Sequence, residues 1–273
     1  MIRSTIIMRA CEYGIARVLG PCSRIVSAST HESPCGDVAI FYGLRASLRQ
    51  VYRDYRAAGR RTILIDLGFW GRQEGGRFAG YHRFVVDGLH AGHYVNRMDH
   101  DPSRVRRFNI ERRAFTRRGT HILLYGQSAK AAWVYDLEPE AWERAAIAAI
   151  RTYSDRPIIY KPKHSWKEAR PIPGVGYSPP TEPTALLLRN CWAVVTHHSN
   201  TGLHALEKGV PVFTEDGIST PLAKRYLSEI EKPWYPSERE RDQFLANVAW
   251  TQWSVAEITN GLPFDFMRSE GML

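Results

Sequence analysis

Three stretches of the sequence concentrate groups able to hold phosphate or move a proton. Trp192–Phe213 reads WAVVTHHSNTGLHALEKGVPVF. Its apolar run ends at Thr196, and His197, His198, Ser199, Asn200 and Thr201 form a turn leading into a helix. Hydroxyls, an amide, two imidazoles and the N–H groups of a helix start suit a phosphate; the same residues equally cap a helix. Arg156–Trp166, RPIIYKPKHSW, is a strand delivering Lys161, Lys163 and His164 to its C-terminal end, two cations and an imidazole that suit a diphosphate. In His121–Lys130, HILLYGQSAK, a strand ends in Gly126, Gln127 and Ser128 with Lys130 behind, and the GxxxxGK[ST] spacing of a Walker A loop is absent.

A fourth stretch, ILIDLGFWGR, places Asp66 near the end of a strand, where a carboxylate could deprotonate an acceptor hydroxyl. His82, in GYHRF, competes for that role. Gly68–Gly80 between them is glycine-rich and reads as a loop able to close over a substrate. Trp70, Phe78 and Tyr81 stack on a base or sugar, or pack under the loop. Arg45, Arg72 and Arg83, with Trp70 and Tyr81, form the candidate acceptor-binding set.

The elements that must position these groups alternate strand and helix. Asp37–Gly43 and Arg61–Leu67 read as strands flanking a helix over Leu44–Ala58, whose Leu44, Leu48, Val51 and Tyr55 recur at helical spacing and which Gly59 stops. Tyr81–Val86 reads as a further strand, and 97–118, with eight arginines and little periodicity, as a basic linker. The second half predicts strands at Ile122–Tyr125, Pro157–Tyr160, Trp192–Thr196 and Val210–Thr214, and helices at Pro139–Tyr153, Ala185–Arg189, Thr201–Lys208 and Pro221–Ile230. A last helix begins at a Ser237/Glu240 capping box and runs to about Thr259. Such alternation predicts an α/β fold of parallel sheets with right-handed crossovers. Two Rossmann-like domains facing a cleft are expected, 1–118 and 119–236, with 237–273 as a C-terminal helix and tail. Ligands of parallel sheets bind beyond the C-terminal strand ends.

The 273 residues carry a net charge of +9. Residues 1–118 hold 21 Arg, no Lys and 10 Asp+Glu, a charge of +11, which leaves −2 for the remainder. A basic first half points to a polyanion such as nucleic acid; an arginine-rich solvated surface is the other reading. No stretch reaches the roughly 20 apolar residues needed to span a bilayer. Arg3 and Arg9 interrupt the N-terminal apolar run, which argues against a signal peptide. Cys11, Cys22, Cys35 and Cys191 form no CxxC pair, so free thiols in a reducing cytoplasm are expected.

Ser199, Asn200, Thr201 and Gly202, followed by Ala205, Leu206, Gly209, Pro211 and Val212, resemble the nucleotide-sugar half of GT-B glycosyltransferases and related capsule-polysaccharide transferases. Those families place an acidic, ribose-contacting residue where this chain has His204; either Glu207, nearly on the same helix face, substitutes, or ribose recognition differs. HILLYGQSAK resembles the first strand-turn of a GT-B donor domain. Phe244, Leu245, Val248, Ala249, Trp250, Trp253 and Val255 resemble the C-terminal helix that crosses back to the first domain in those enzymes. Together ILIDLGFWGR, RPIIYKPKHSW and VVTHHSNTG also resemble small bacteriophage-encoded proteins of glycosyltransferase type, some of which glycosylate hydroxymethylated pyrimidines in DNA. The resemblance implies a metal-independent hexosyl- or pentosyltransferase in the host cytoplasm. It would need no cofactor beyond a nucleotide-sugar donor, with a UDP-sugar expected, and would bind DNA through its basic half. Two alternatives stay open: a glycan or lipid-linked acceptor, and a non-catalytic nucleic-acid-binding protein with a degenerate donor site.

Overall fold

The computed structural model describes residues 4–7, 23–26, 31–44, 46–72, 80–166 and 168–273. Cys11, Cys22, Arg45, Phe78 and the centre of the glycine-rich loop lie outside the described residues. By contacts the chain divides into two compact units, Met1–Ala91 with Val248–Leu273, and Gly92–Asn247. The boundaries expected from the sequence fall at 118 and 236 instead.

In the first unit β1 (Ser4–Ile7), β2 (Ser23–Val26), β3 (Val38–Tyr42) and β4 (Arg61–Leu67) run parallel in the order β2-β1-β3-β4. Helix α1 (Ala46–Ala57) joins β3 to β4 and buries Leu48, Val51 and Tyr55, the periodic positions read from the sequence. Each contributes about 1.5–3 kcal/mol on burial. Gly59, at φ +66°, ends it as expected. Strand β5 (Tyr81–Val86) departs from the all-parallel expectation: it pairs antiparallel with β4, Asp66 opposite Arg83. The connection explains this. Parallel neighbours need a crossover, usually helical, and the glycines of Gly68–Gly80 cannot supply a helix.

The second unit opens with two short helices, α2 (Gly92–Val95) and α3 (Ser103–Arg106), followed by an extended run to residue 120. This is the arginine-rich stretch, and it belongs to the second unit rather than to a linker. Arg113 N–H donates to the Glu207 carbonyl (2.9 Å) and Thr116 N–H to that of Gly209 (3.2 Å). A β-carbon on Gly209, at φ +69°, would lie 2.1 Å from the Ala114 carbonyl oxygen, so the strap requires glycine there. The charge asymmetry changes accordingly. The first unit holds 14 Lys+Arg against 10 Asp+Glu (+4), the second 23 against 18 (+5).

The second sheet is wholly parallel. Its strands are β6 (His121–Tyr125), β7 (Ile158–Lys161), β8 (Gly176–Tyr177), β9 (Cys191–Thr196) and β10 (Val212–Thr214), ordered β10-β9-β6-β7-β8. Helices α4 (Ala129–Val134), α5 (Ala141–Tyr153), α6 (Thr184–Leu187) and α7 (Thr201–Glu207) lie between the strands in sequence. One sheet face, with Ile122, Leu124, Ile158, Tyr160, Ala193 and Val195, shares a core with Trp142, Ala146 and Ile150 of α5. Helix α7 packs on β9 and β10. Burial on both faces is why these strands read as unbroken apolar runs.

Two expected helices are rearranged. Pro221–Ile230 forms two 3-10 turns, Thr220–Leu222 and Leu227–Glu229, because the chain at Lys224 pairs with the edge of β10: Lys224 N–H donates to Val212 O (3.0 Å) and Thr214 N–H to Lys224 O (2.9 Å). The last helix, α8 (Glu238–Ala249), begins at the expected capping box, with Ser237 N–H donating to Glu240 Oε2 (2.7 Å) and Glu240 N–H to Ser237 Oγ (3.2 Å). It then stops short of Thr259. Gln252–Ser254 becomes an edge strand antiparallel to β5, and a second capping box, Ser254 with Glu257, starts α9 (Val255–Thr259), followed by α10 (Leu262–Ser269). No helix among the described residues is long and apolar enough to cross a membrane. Cys35 and Cys191 are free thiols.

Candidate active site

Register places the ends of four strands of the second sheet in one row. Lys161 pairs with Tyr125, Tyr125 with Thr196, and Thr196 with Thr214. The turns that follow, at Gly126–Ser128, Pro162–Trp166, His197–Asn200 and Glu215–Gly217, therefore open along the same edge. Sequence-predicted donor groups from three separate motifs come together here.

The turn after β6 is held from below. Gln127 N–H donates to Glu143 Oε1 at 2.8 Å, and Glu143, on the first turn of α5, is fully buried. Burial raises the Glu143 carboxyl pKa, opposed by the Gln127 hydrogen bond. Tyr160 lies beside it and its phenol is likewise raised by burial. A β-carbon on Gly126 would sit 2.9 Å from the Tyr160 ring and 3.1 Å from Glu143 Oε1, so only glycine fits between them. The Gln127 side chain is 3% exposed, and neither its Oε1 nor its Nε2 has a hydrogen-bond partner among the described residues; Glu143 Oε2 and the Tyr160 hydroxyl are in the same state. Buried polar groups are normally bonded, so four such atoms around one turn mark unused binding capacity. Ser128 Oγ accepts from Ala131 N–H (3.2 Å) and caps α4, on which Lys130 lies.

The turn after β9 is largely self-satisfied. Thr196 Oγ1 donates to Tyr125 O (3.1 Å) and accepts from Ser199 N–H (3.3 Å). Ser199 Oγ accepts from Thr201 N–H (3.2 Å), and Ser199 O from Gly202 N–H (3.0 Å). Three N–H groups expected to face a phosphate are thus bonded inside the turn, and Asn200, at the N-cap position, makes no capping bond of its own. His197 and His198 are buried with their Nδ1 atoms 3.0 Å apart, so one ring donates and the other accepts. Burial lowers the His197 pKa, opposed by Glu215 and Asp216. Tyr135 stacks on His198 (4.9 Å between centroids) and donates its hydroxyl to Asp216 Oδ2 (2.7 Å), while Trp142 Nε1 donates to Glu215 Oε1 (2.5 Å). Tyr135, Trp142, Glu143, Glu215 and Asp216 carry no motif spacing, and sequence reading missed them. Glu207 is buried with its Oε2 3.1 Å from His204 Nδ1, which confirms the shared helix face but ties the carboxylate to that histidine.

The Lys161 ammonium is buried. It donates to Pro179 O (2.8 Å) and Pro180 O (3.2 Å), tethering the segment after β8, and burial lowers its pKa. Lys163 is half-buried, and His164 is exposed with Nδ1 3.3 Å from Pro180 O. No cluster among the described residues could hold a metal ion.

In the first unit Asp66 Oδ2 accepts from Arg83 Nη2 at 2.9 Å across β4 and β5, and its side chain remains 42% exposed. His82 is fully buried between Leu67 and Trp253 in register, and burial lowers its pKa. Gln252, unflagged in the sequence, accepts at Oε1 from Phe69 N–H (2.7 Å) and Trp70 N–H (3.2 Å), and Tyr81 O accepts from Gly68 N–H (2.8 Å). Arg72 Nη2 reaches Phe69 O at 3.5 Å, and the Arg83 guanidinium lies 5.3 Å over the Phe69 ring. Trp70, Arg72, Tyr81 and Arg83 thus gather around one turn.

The fold is mixed α/β, with one wholly parallel sheet and one largely parallel sheet. Two solved structures from Thermosulfurimonas dismutans share it, the KpsC β-Kdo 2,7 transferase (TM-score 0.56) and the KpsC β-Kdo 2,4 transferase (TM-score 0.54). Each is 12% identical, and each alignment covers 95% of this chain and 97% of the other. No family model and no curated protein matches the sequence.

Proposed function

We propose that the chain is a glycosyltransferase that binds a nucleotide-sugar donor along the strand-end row of its second unit and passes the sugar to a hydroxyl of a glycan. The observation that carries this reading is Gln127: a buried carboxamide with both polar atoms unbonded among the described residues, at the edge where parallel sheets take ligands. Lys163 and His164 would meet the donor phosphates, while Lys161 keeps the neighbouring segment in place. In the first unit Asp66 presents a half-exposed carboxylate and His82 does not reach solvent, so Asp66 is the accessible one of the two candidate bases. The acceptor hydroxyl attacks the anomeric carbon and yields its proton to a base, and the nucleotide leaves with the electron pair of the broken glycosyl bond. No metal is required in this scheme.

A glycan is favoured over DNA because the charge that singled out DNA is not concentrated in one unit: +4 and +5 are nearly equal. Both structural neighbours are named as Kdo transferases, which supports testing activated Kdo alongside UDP-sugars.

The test is a thermal-shift panel of nucleotides and nucleotide sugars. A ligand at 100 times its Kd stabilises by about 2.7 kcal/mol, a rise of a few degrees for a chain of this size. One nucleotide class should raise the midpoint, and Gln127→Ala should reduce that rise. Transfer is then assayed with glycan and hydroxymethylated-DNA acceptors. No shift from any nucleotide overturns the donor site, and transfer to DNA alone overturns the glycan assignment.

A further inference from the structure

A cavity lies in the second unit, lined by none of the strand-end residues, and it stands independently of the donor reading. It is enclosed by α3, the extended run behind it and one face of α8, with a volume of about 650 Å³, within the range of small-molecule sites. Its frame is built from α8. Gln243 Nε2 donates to His100 O (2.9 Å), Asn247 Nδ2 to Val95 O (3.1 Å) and Met98 O (2.7 Å), and Arg241 Nη1 to Arg113 O (2.5 Å). These side chains staple the backbone of 95–113 to the helix and leave the space between them open.

The wall chemistry is divided. Val105, Ile110 and Leu245 supply apolar surface; Arg106, Arg112 and Arg239 supply three guanidiniums. The one carboxylate lining the cavity, Asp242, is ion-paired with Arg112. Arg106 and Arg239 form no ion pair among the described residues, and both are exposed. The Asp101 carboxylate accepts from Ser103 N–H (2.7 Å) and lies within electrostatic reach of Arg106. Two exposed guanidiniums outside any ion pair among the described residues, beside an apolar wall, complement an anion carried on an apolar body. A bare anion leaves the wall uncovered, and a neutral amphiphile leaves the guanidiniums unmatched.

We infer that this cavity binds a phosphate-bearing amphiphile, the phosphate on Arg106 and Arg239 and the apolar stem against Val105, Ile110 and Leu245.

The probe is decyl phosphate, titrated below its aggregation concentration against the full chain by calorimetry, with decyl maltoside and inorganic phosphate as matched controls. The expected result is one site per chain, weakened by added salt, and both controls at least about tenfold weaker. Arg106→Gln with Arg239→Gln should lower decyl phosphate affinity by about tenfold or more, and lysine at both positions should restore part of it. Circular dichroism checks that the exposed substitutions leave the fold intact. Equal affinity for decyl maltoside overturns the phosphate assignment; equal affinity for inorganic phosphate overturns the amphiphile. No binding, or binding unchanged in the double variant, overturns the site.

Discussion

The backbone N–H of Gln127 donates to Glu143 Oε1 at 2.8 Å, tying the turn after β6 to the first turn of α5. The acceptor is fully buried, so its loss leaves an unpaired N–H with no access to water. Glu143→Leu should therefore cost about 1–3 kcal/mol, while Glu143→Gln keeps an acceptor oxygen and should cost less. Urea unfolding measures both. Burial raises the Glu143 pKa, so the stability it contributes is present below the ordinary value of 4.5 and is lost as pH rises through the raised one. The wild type should thus lose ground to Glu143→Gln as pH increases. A constant difference between the two proteins would show that this carboxyl titrates alike in the folded and unfolded chain, so that burial does not raise its pKa.

The paired histidines run the other way. Burial lowers the His197 pKa below the ordinary 6.5, and the unfolded chain takes up the proton first. The stability contributed by the neutral ring is present above pH 6.5 and is lost as pH falls through the lowered value. The unfolding midpoint should drop between pH 7 and pH 5. His197→Asn should flatten that drop without abolishing it, because His82 is shifted in the same direction by burial. A midpoint that holds or rises on acidification contradicts the buried neutral pair.

What the sequence disclosed was local. Leu48, Val51 and Tyr55 show a helix because their spacing repeats every three or four residues, and Ser237 with Glu240 show its later counterpart because a capping box is complete within four residues. The motifs ending at Thr196, Lys161 and Tyr125 could be seen singly, and parallel pairing set them in one row. What failed was relational. Glu143 meets Gln127 across sixteen positions and Tyr135 meets Asp216 across eighty-one, with no spacing rule linking them. The final helix was overextended because an apolar run around Trp250 and Trp253 reads alike as buried helix or edge strand. The basic first half was an effect of sequence order, since the arginines of 97–118 fold with the second unit.

Gln252 is a case the sequence could not flag. Its buried Oε1 accepts from both Phe69 and Trp70 N–H groups. Gln252→Leu leaves two donors unpaired, at a cost of about 2–5 kcal/mol. Gln252→Glu keeps an acceptor for both N–H groups but, once ionised, loses the Nε2 bond to Trp70 O (3.3 Å) and buries a charge, so its cost should grow as pH rises above the carboxylate range. Denaturant titrations of the two variants at pH 5 and pH 8 check this. A leucine variant as stable as the wild type would mean that the 68–71 turn does not depend on this side chain.

Asp66 and His82 separate by what each substitution disturbs. Asp66 is half-exposed and accepts from Arg83, and asparagine can still accept from that guanidinium, so Asp66→Asn should change stability by less than about 1 kcal/mol. As the base for the acceptor hydroxyl its loss should lower kcat by about 10²–10⁴-fold. The donor KM should stay near the wild-type value, because the donor groups lie on the other sheet. His82 has no exposed surface, and His82→Asn opens a gap in the first sheet, costing about 1–3 kcal/mol. Its kcat per folded molecule should fall far less than that of Asp66→Asn. Steady-state kinetics with the donor identified by the nucleotide panel, normalised to folded fraction, distinguish the two. Full kcat in Asp66→Asn would remove the carboxylate from the reaction, and a selective kcat loss in His82→Asn would transfer the role to the imidazole.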